Sequence, residues 1–181
     1  MAAEKEIRPL KIVVLGPEST GKSTLCSQLA AQFNSSWCPE FARQYLLEHG
    51  TQYSYADLLT IAKGQITLEE KHLAKAGKGP LFIDTDMYVM KVWCEFVFGN
   101  CHQWIIDQIV NRPYDLYLLC NTDLPWVKDE LREYPDLETR EKLYAIYKDI
   151  MVNQAVPWVE VSGTNEQRFA IAEAVVKKLL Q

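Results

Sequence analysis

Along the chain, short apolar runs alternate with longer stretches in which apolar residues recur every three or four positions. "KIVVLG" (11–16), "PLFIDTD" (80–86), "DLYLLC" (115–120) and "WVEVSG" (158–163) have the length and side-chain content of strands. In the two bulkiest runs, "IVVL" and "LYLL", polar residues do not alternate with apolar ones. A strand of that kind has no solvent face, which predicts parallel strands covered by helices on both sides. "SSWCPEF" (35–41) is a weaker fifth strand. Pro39 has no N–H for a ladder and limits pairing to about the first half of the stretch.

Helical periodicity fills the intervals, over 22–33, 54–76, 87–98, 102–111 and 136–153. Ser54 and Asp57 have capping-box spacing, as do Thr164 and Gln167 at the start of a final helix. That last helix places Phe169, Ala172, Val176 and Leu179 on one apolar face. Strand then helix, repeated four or five times, predicts an α/β fold of three layers, with a five-stranded parallel sheet between helices. No repeat, linker or low-complexity tract interrupts the pattern, so the 181 residues read as one domain. Ligands of such sheets bind beyond the carboxyl ends of the strands. The residues singled out below lie at or just after those ends, except Gln65, which falls within a helix.

Composition narrows the function classes. Apolar residues are 48% and charged residues 24%, ordinary for a soluble globular chain. A net charge of −5 argues against a general nucleic-acid or anionic-membrane surface. No apolar run approaches the ~20 residues of a membrane span, and "MAAEKEIRPL" lacks the apolar core of a secretory signal. Cys26, Cys38, Cys94, Cys101 and Cys120 are odd in number, scattered and never in a C-x-x-C pair. They fit free thiols in a reducing cytoplasm rather than disulfides or zinc. His49, His72 and His102 have no metal-ligand spacing.

The sharpest chemical signal is "LGPESTGKST" (15–24). Gly16, Gly21, Lys22 and Ser23 satisfy G-x-x-x-x-G-K-[ST] between a predicted strand and a predicted helix, the setting that motif requires. Chance would place these four residues at these offsets in under ~1% of chains this long, taking glycine at about 7%. Glycines let the backbone wrap closely, so that N–H groups of Gly16, Pro17, Glu18, Ser19, Thr20, Gly21, Lys22, Ser23 and Thr24 (Pro17 excepted, having none) and the helix N-terminus point at phosphate oxygens. Lys22 then bridges β- and γ-phosphates, and the Ser23 hydroxyl faces Mg²⁺. ATP and Mg²⁺ are the expected cofactors, on a P-loop NTPase fold. Asp84, ending the strand "LFID", suits the magnesium carboxylate. Asp86 either shares that task, faces the acceptor, or caps the helix beginning near Met87.

A GTP switch usually carries Asn-Lys-x-Asp, and "NTDLP" (121–125) lacks the lysine. A kinase needs a segment that closes over the phosphates and excludes water. "TDLPWVKDELREYPDLETR" (122–140) is the candidate lid, with Lys128, Arg132 and Arg140; interleaved acids leave open an ordinary exposed charged helix. Trp126 either covers a ligand or anchors the segment by packing. On the acceptor side, Glu40 in "CPEFARQY" ends the weak strand and offers a base for an attacking hydroxyl, with Arg43 on the same helix face. A surface Glu–Arg pair is the bland alternative. Gln65 is a candidate amide reader of a base or carboxamide, and Gly64 beside it is costly in a helix unless something approaches closely there. Adenine-facing residues are expected in "VSGTNEQR" (161–168).

Taken together, "GPESTGKSTL", "PEFARQYL", "FIDTD" and "DLPWVKDELR" resemble, in this order, the nicotinamide riboside kinase domain of NadR-type NAD regulator proteins. The resemblance runs from about Lys11 to the last helix. It implies ATP-dependent phosphorylation of the 5′-hydroxyl of a small nucleoside-like substrate, nicotinamide riboside. It further implies Gly16 to Thr24 around ATP, Asp84 serving magnesium, and Arg132 in the lid. Glu40, Arg43 and Asp86 would then surround the riboside. The DNA-binding and adenylyltransferase domains of those proteins have no counterpart in these residues. The stretch around Glu40 also resembles deoxynucleoside kinases, which keeps a deoxynucleoside acceptor open. A regulatory nucleotide-binding module that transfers nothing is the third reading.

Overall fold

The five apolar runs pair into a single parallel sheet whose order differs from their order in sequence. The structure, a computed structural model, describes residues 8–77 and 79–181. The strands are β1 (Lys11–Leu15), β2 (Ser36–Cys38), β3 (Leu81–Asp84), β4 (Leu116–Cys120) and β5 (Trp158–Val161), arranged β2-β3-β1-β4-β5. Pro39 ends β2 after three residues, as its missing N–H requires. The helices are α1 (Lys22–Gln32), α2 (Phe41–His49), α3 (Tyr55–Leu73), α4 (Met87–Phe98), α5 (Gln103–Asn111), α6 (Leu137–Asn153) and α7 (Asn165–Leu179). Both capping boxes form, at Ser54/Asp57 and Thr164/Gln167.

Alternation within the buried strands builds the three layers. Ile12 and Val14 of β1 pack with Leu25, Cys26 and Leu29 of α1 and Ala172 and Val176 of α7. Val13 and Leu15 turn the other way, toward Val89 and Val92 of α4 and Leu143, Tyr147 and Met151 of α6. The central strands β1, β3 and β4 are therefore apolar on both faces, which explains the unbroken runs in the sequence. A third cluster joins α2, α3, α4 and α5 through Ala42, Leu58, Ile61, Met90 and Ile105. Among the described residues, no helix is long and apolar enough to cross a membrane.

Two features of this packing position the site. The strand β3 lies directly beside β1, with Val14 opposite Asp84, so the carboxylate sits two residues short of Gly16 across the sheet. At Gly64 in α3, a β-carbon would stand 2.1 Å from the Phe41 ring. What approaches the helix there is α2, which the contact seats against α3 directly after Glu40. At the opposite, amino end of the sheet, the buried Glu69 carboxylate is satisfied by Lys11 (3.2 Å), Arg112 (3.4 Å) and Tyr114 (2.9 Å). A buried charge without such partners would be costly.

Candidate active site

The phosphate loop leaves β1 in a path that only glycine permits. Gly16 has φ 141°, and a β-carbon there would lie 2.6 Å from the Cys120 carbonyl oxygen at the end of β4. Inside the loop, the Thr20 hydroxyl and the Lys22 ammonium both donate to the Pro17 carbonyl, each at 2.8 Å. From outside, the buried Arg168 guanidinium donates to Thr20 O (2.9 Å), Gly163 O (2.8 Å) and Asn121 O (2.9 Å), and pairs with Asp123. The stretch 161–168 is thus tied to the back of the loop through Arg168. Its Gly163 and Thr164 open α7 where adenine-facing residues were expected.

Ser23, in the first turn of α1, donates its hydroxyl proton to Asp84 Oδ2. The other Asp84 oxygen, Oδ1, is buried and finds no partner among the described residues. Burial raises the Asp84 carboxyl above the ordinary aspartate range, against the pull of Lys22 and the Ser23 hydrogen bond. A buried carboxylate oxygen without a donor, next to a hydroxyl at a phosphate loop, is the donor set a hard divalent cation takes. Among the described residues, no group of three or more His, Cys, Asp or Glu is arranged to hold a metal unaided. Phosphate oxygens would have to complete the coordination.

A cavity of about 470 Å³ extends from this loop, a size typical of small-molecule sites. Gly16 to Thr24 form one wall and Asp84 and Thr85 its floor. Glu40 and Arg43 enter from the start of α2, and Arg132, Glu133 and Tyr134 from the segment above. Glu40 takes the N-cap position of α2, yet its carboxylate caps no helix N–H. Its exposed surface opens into the cavity, and the surrounding protein pushes its pKa up to about 7. Burial is the main cause and the Asp84 charge adds to it, while Lys22 opposes both. A carboxylate held near neutrality can take a proton at the pH where cells work.

Several residues singled out from the sequence lie elsewhere, for local reasons. Asp86 does not line the cavity; it is 1% exposed and caps α4, accepting from Tyr88 N (3.1 Å) and Val89 N (3.2 Å). Thr85, with φ 78°, breaks the two-residue repeat that would have kept Asp84 and Asp86 on one face. A β-branched residue in that region is strained, which marks the turn as one the surroundings impose. Gln65 is also 1% exposed and does not line the cavity. Its amide accepts from Phe41 N (2.7 Å) and donates to Pro39 O (3.3 Å) and Asp84 O (3.4 Å), bracing the ends of β2 and β3.

The predicted lid is irregular over 122–136, not a charged helix, and 137–140 already belong to α6. Arg132 reaches the cavity and donates to Val127 O. Lys128 is exposed and does not line the cavity. Arg140 is 2% exposed, does not line the cavity, and holds the base of the segment through Thr122 O (3.4 Å) and Leu124 O (3.3 Å). Trp126 is half-buried, does not line the cavity, and its ring N–H has no partner among the described residues. Arg43 pairs with Asp129 of the lid at 3.1 Å.

The aromatic wall drew no attention in the sequence. Trp93 and Phe96 of α4, with Tyr134 of the lid, face the cavity. Tyr134 and Phe96 meet edge to face at 5.5 Å. Trp93 Nε1 donates to the Tyr53 hydroxyl (2.9 Å), which donates to Glu133 Oε2 (3.0 Å). The spacing of Val89, Trp93 and Phe96, at i, i+4 and i+7, was the available signal, but such a stripe usually means only core.

Comparison with known proteins follows the same outline. Two curated relatives, each a trifunctional NAD biosynthesis/regulator protein NadR, come from Salmonella typhimurium and Escherichia coli. Each is 28% identical over 97% of this chain, which spans 44% of their length. Two solved structures of NadR, one in complex with NR and one with NAD and AMP-PNP, superpose with TM-scores of 0.78 and 0.71 at 21% and 20% identity. They cover 93% of this chain and 49% of theirs. Thymidylate kinase from Candida albicans follows at a TM-score of 0.67 and 18% identity, over 94% of this chain and 92% of its own. The fold is thus that of the P-loop kinases. An AAA-domain family model matches residues 11–168, from the first residue of β1 to the arginine that holds the phosphate loop, and the chain belongs to that family.

Proposed function

We propose that the protein transfers the γ-phosphoryl group of ATP to the 5′-hydroxyl of nicotinamide riboside, giving nicotinamide mononucleotide. The observation that carries this reading is the placement of Glu40, with a pKa near 7, in the same cavity as the phosphate loop. A pure nucleotide switch has no use for a carboxylate there, whereas a kinase needs one to receive the hydroxyl proton. The acceptor oxygen bonds to the γ-phosphorus as its O–H proton passes to Glu40, and the bond from phosphorus to the bridging oxygen breaks to release ADP. Lys22 and Arg132 line the same cavity and, released from their carbonyl partners, would offset the charge that spreads over the transferred group. Magnesium, when bound, neutralises phosphate charge, and Ser23 and Asp84 are the residues that would hold it.

The acceptor class is argued from charge. Carboxylates of Glu18, Glu40, Asp84 and Glu133 line the cavity. Of its cations, Arg43 is committed to Asp129 and Arg132 to a carbonyl. A nucleotide acceptor would bring two more negative charges and call for free guanidinium groups. A nucleoside avoids that conflict, and the pyridinium ring of nicotinamide riboside, a fixed cation, suits an acidic cavity walled by Trp93, Phe96 and Tyr134. The similarity to NadR, one solved form of which holds NR, supports the same acceptor.

The test is ADP release with ATP and Mg²⁺ over a panel of nicotinamide riboside, the common ribo- and deoxyribonucleosides, and a blank. Selective turnover of nicotinamide riboside is expected. Turnover with a deoxynucleoside alone would keep the kinase and replace the acceptor. No acceptor above the blank would leave a regulatory ATPase.

A further inference from the structure

In G-x-x-x-x-G-K-[ST] the variable positions give phosphate their backbone N–H groups, and nothing in that chemistry requires their side chains. A carboxylate at one of them is a liability, since it shares the loop with a triphosphate. Here Glu18 occupies such a position, and its lone pairs are directed away from the loop. Oε1 accepts from Glu133 N (3.1 Å), while Oε2 accepts from Glu133 N (3.0 Å) and Tyr134 N (3.1 Å). The next residue does likewise. Ser19, with φ 56°, turns its hydroxyl to accept from Val127 N (2.9 Å) and donate to Pro125 O (3.5 Å).

We infer that Glu18 is a positioning residue for the acceptor side: it fixes the lid at Glu133 and Tyr134, with Ser19 holding the lid's near end. The segment 122–136 has no regular structure of its own, so its backbone N–H groups must find partners outside a helix or ladder. The phosphate loop supplies those of Val127, Glu133 and Tyr134. Through those bonds Glu18 sets two parts of the acceptor wall at once. Tyr134 meets Phe96, and Glu133 receives the Tyr53 hydroxyl, which in turn holds the Trp93 indole. A further side-chain tie to the lid, Arg43 to Asp129, is exposed and contributes little. A loop that binds the donor nucleotide thereby shapes the place where the acceptor docks.

The reading rests on the proposed phosphoryl transfer for its kinetic consequences only, so the experiment has an arm independent of turnover. Amide hydrogen exchange across 125–134 is compared in the full chain for wild type, Glu18→Gln, Glu18→Asp and Glu18→Ala, with and without a non-hydrolysable ATP analogue. Oε2 receives both N–H groups and Oε1 only shares that of Glu133, so a glutamine oxygen in the place of Oε2 can keep both, whereas aspartate is one methylene short. Protection at Glu133 and Tyr134 is expected in wild type and Glu18→Gln and lost in Glu18→Asp and Glu18→Ala. In kinetics the last two raise the acceptor KM roughly tenfold or more, with the ATP KM changed by less than about threefold. They also raise the share of ATP hydrolysed without transfer, and glutamine restores each value. Equal exchange in all four proteins overturns the inference, as does Glu18→Gln behaving like Glu18→Ala, which would mean a role for the charge itself. An absence of acceptor turnover in wild type would remove the kinase proposal and leave the exchange result to decide the lid.

Discussion

Glu40→Gln tests the site at its most exposed point, because the structure assigns that carboxylate an unusual ionisation as well as a place. Burial and the nearby Asp84 charge raise its pKa to about 7 in the ligand-free protein, and kcat/KM reports the ionisations of that free state. If Glu40 must be ionised to take the hydroxyl proton, about 90% of the wild-type protein is competent at pH 8, roughly 9% at pH 6 and about 1% at pH 5. An ordinary glutamate would still be more than about 95% ionised at pH 6. The expected profile is therefore a loss of roughly tenfold in kcat/KM from pH 8 to pH 6, where an unperturbed carboxylate gives almost none. Glu40→Gln should lower kcat by ~10²-fold or more while ATP binding persists, and its residual rate should lack the acidic limb. ADP release at saturating Mg²⁺ measures both proteins, and the glutamine profile reveals any titration that belongs to the substrates. A wild-type limb near 4.5, or a variant with wild-type kcat, refutes the assignment.

Lys22→Ala should reduce transfer by roughly 10²-fold or more with any acceptor, in the same assay; transfer that survives would remove the loop from the mechanism. Asp86→Asn should stabilise the fold at high pH. Its folded pKa, raised from 3.8 to about 7 by burial, means that the fold favours the protonated form. The stability tied to this group is complete below the ordinary aspartate range and falls as pH rises toward 7. Three units correspond to at most about 4 kcal/mol, so a gain of about 1–3 kcal/mol is expected in urea unfolding at pH 8, and a smaller one at pH 5. A gain equal at both pH values would mean that ionisation is not the cause. Gly64→Ala should destabilise by about 1–3 kcal/mol despite alanine's better helix propensity, because its β-carbon meets the Phe41 ring; a more stable variant in urea unfolding would sink that contact.

What could be read from the sequence was what neighbours along the chain determine. Strand and helix periods, both capping boxes and the end of β2 at Pro39 depend on residues a few positions apart, and they appear where expected. The phosphate loop is legible for the same reason, since its glycines, lysine and serine act within one turn. Even the cost of Gly64 pointed to a close approach, although not to what approaches. The sheet order was not legible, and it is what brings Asp84 beside β1. A side chain's task depends on which distant groups reach it. Asp84 and Asp86 are alike in sequence, but the left-handed turn at Thr85 leaves one on the cavity floor and gives the other two helix N–H groups to cap. Gln65 and Arg140 look like ligand-facing polar groups until packing buries them against backbone carbonyls. Glu18 looks like a residue for phosphate until residues more than a hundred positions away present it with two amides. Local periodicity thus determined the elements and the phosphate loop, whereas tertiary structure decided which polar groups face the cavity, because burial and hydrogen-bond partners come from chain segments the local pattern does not see.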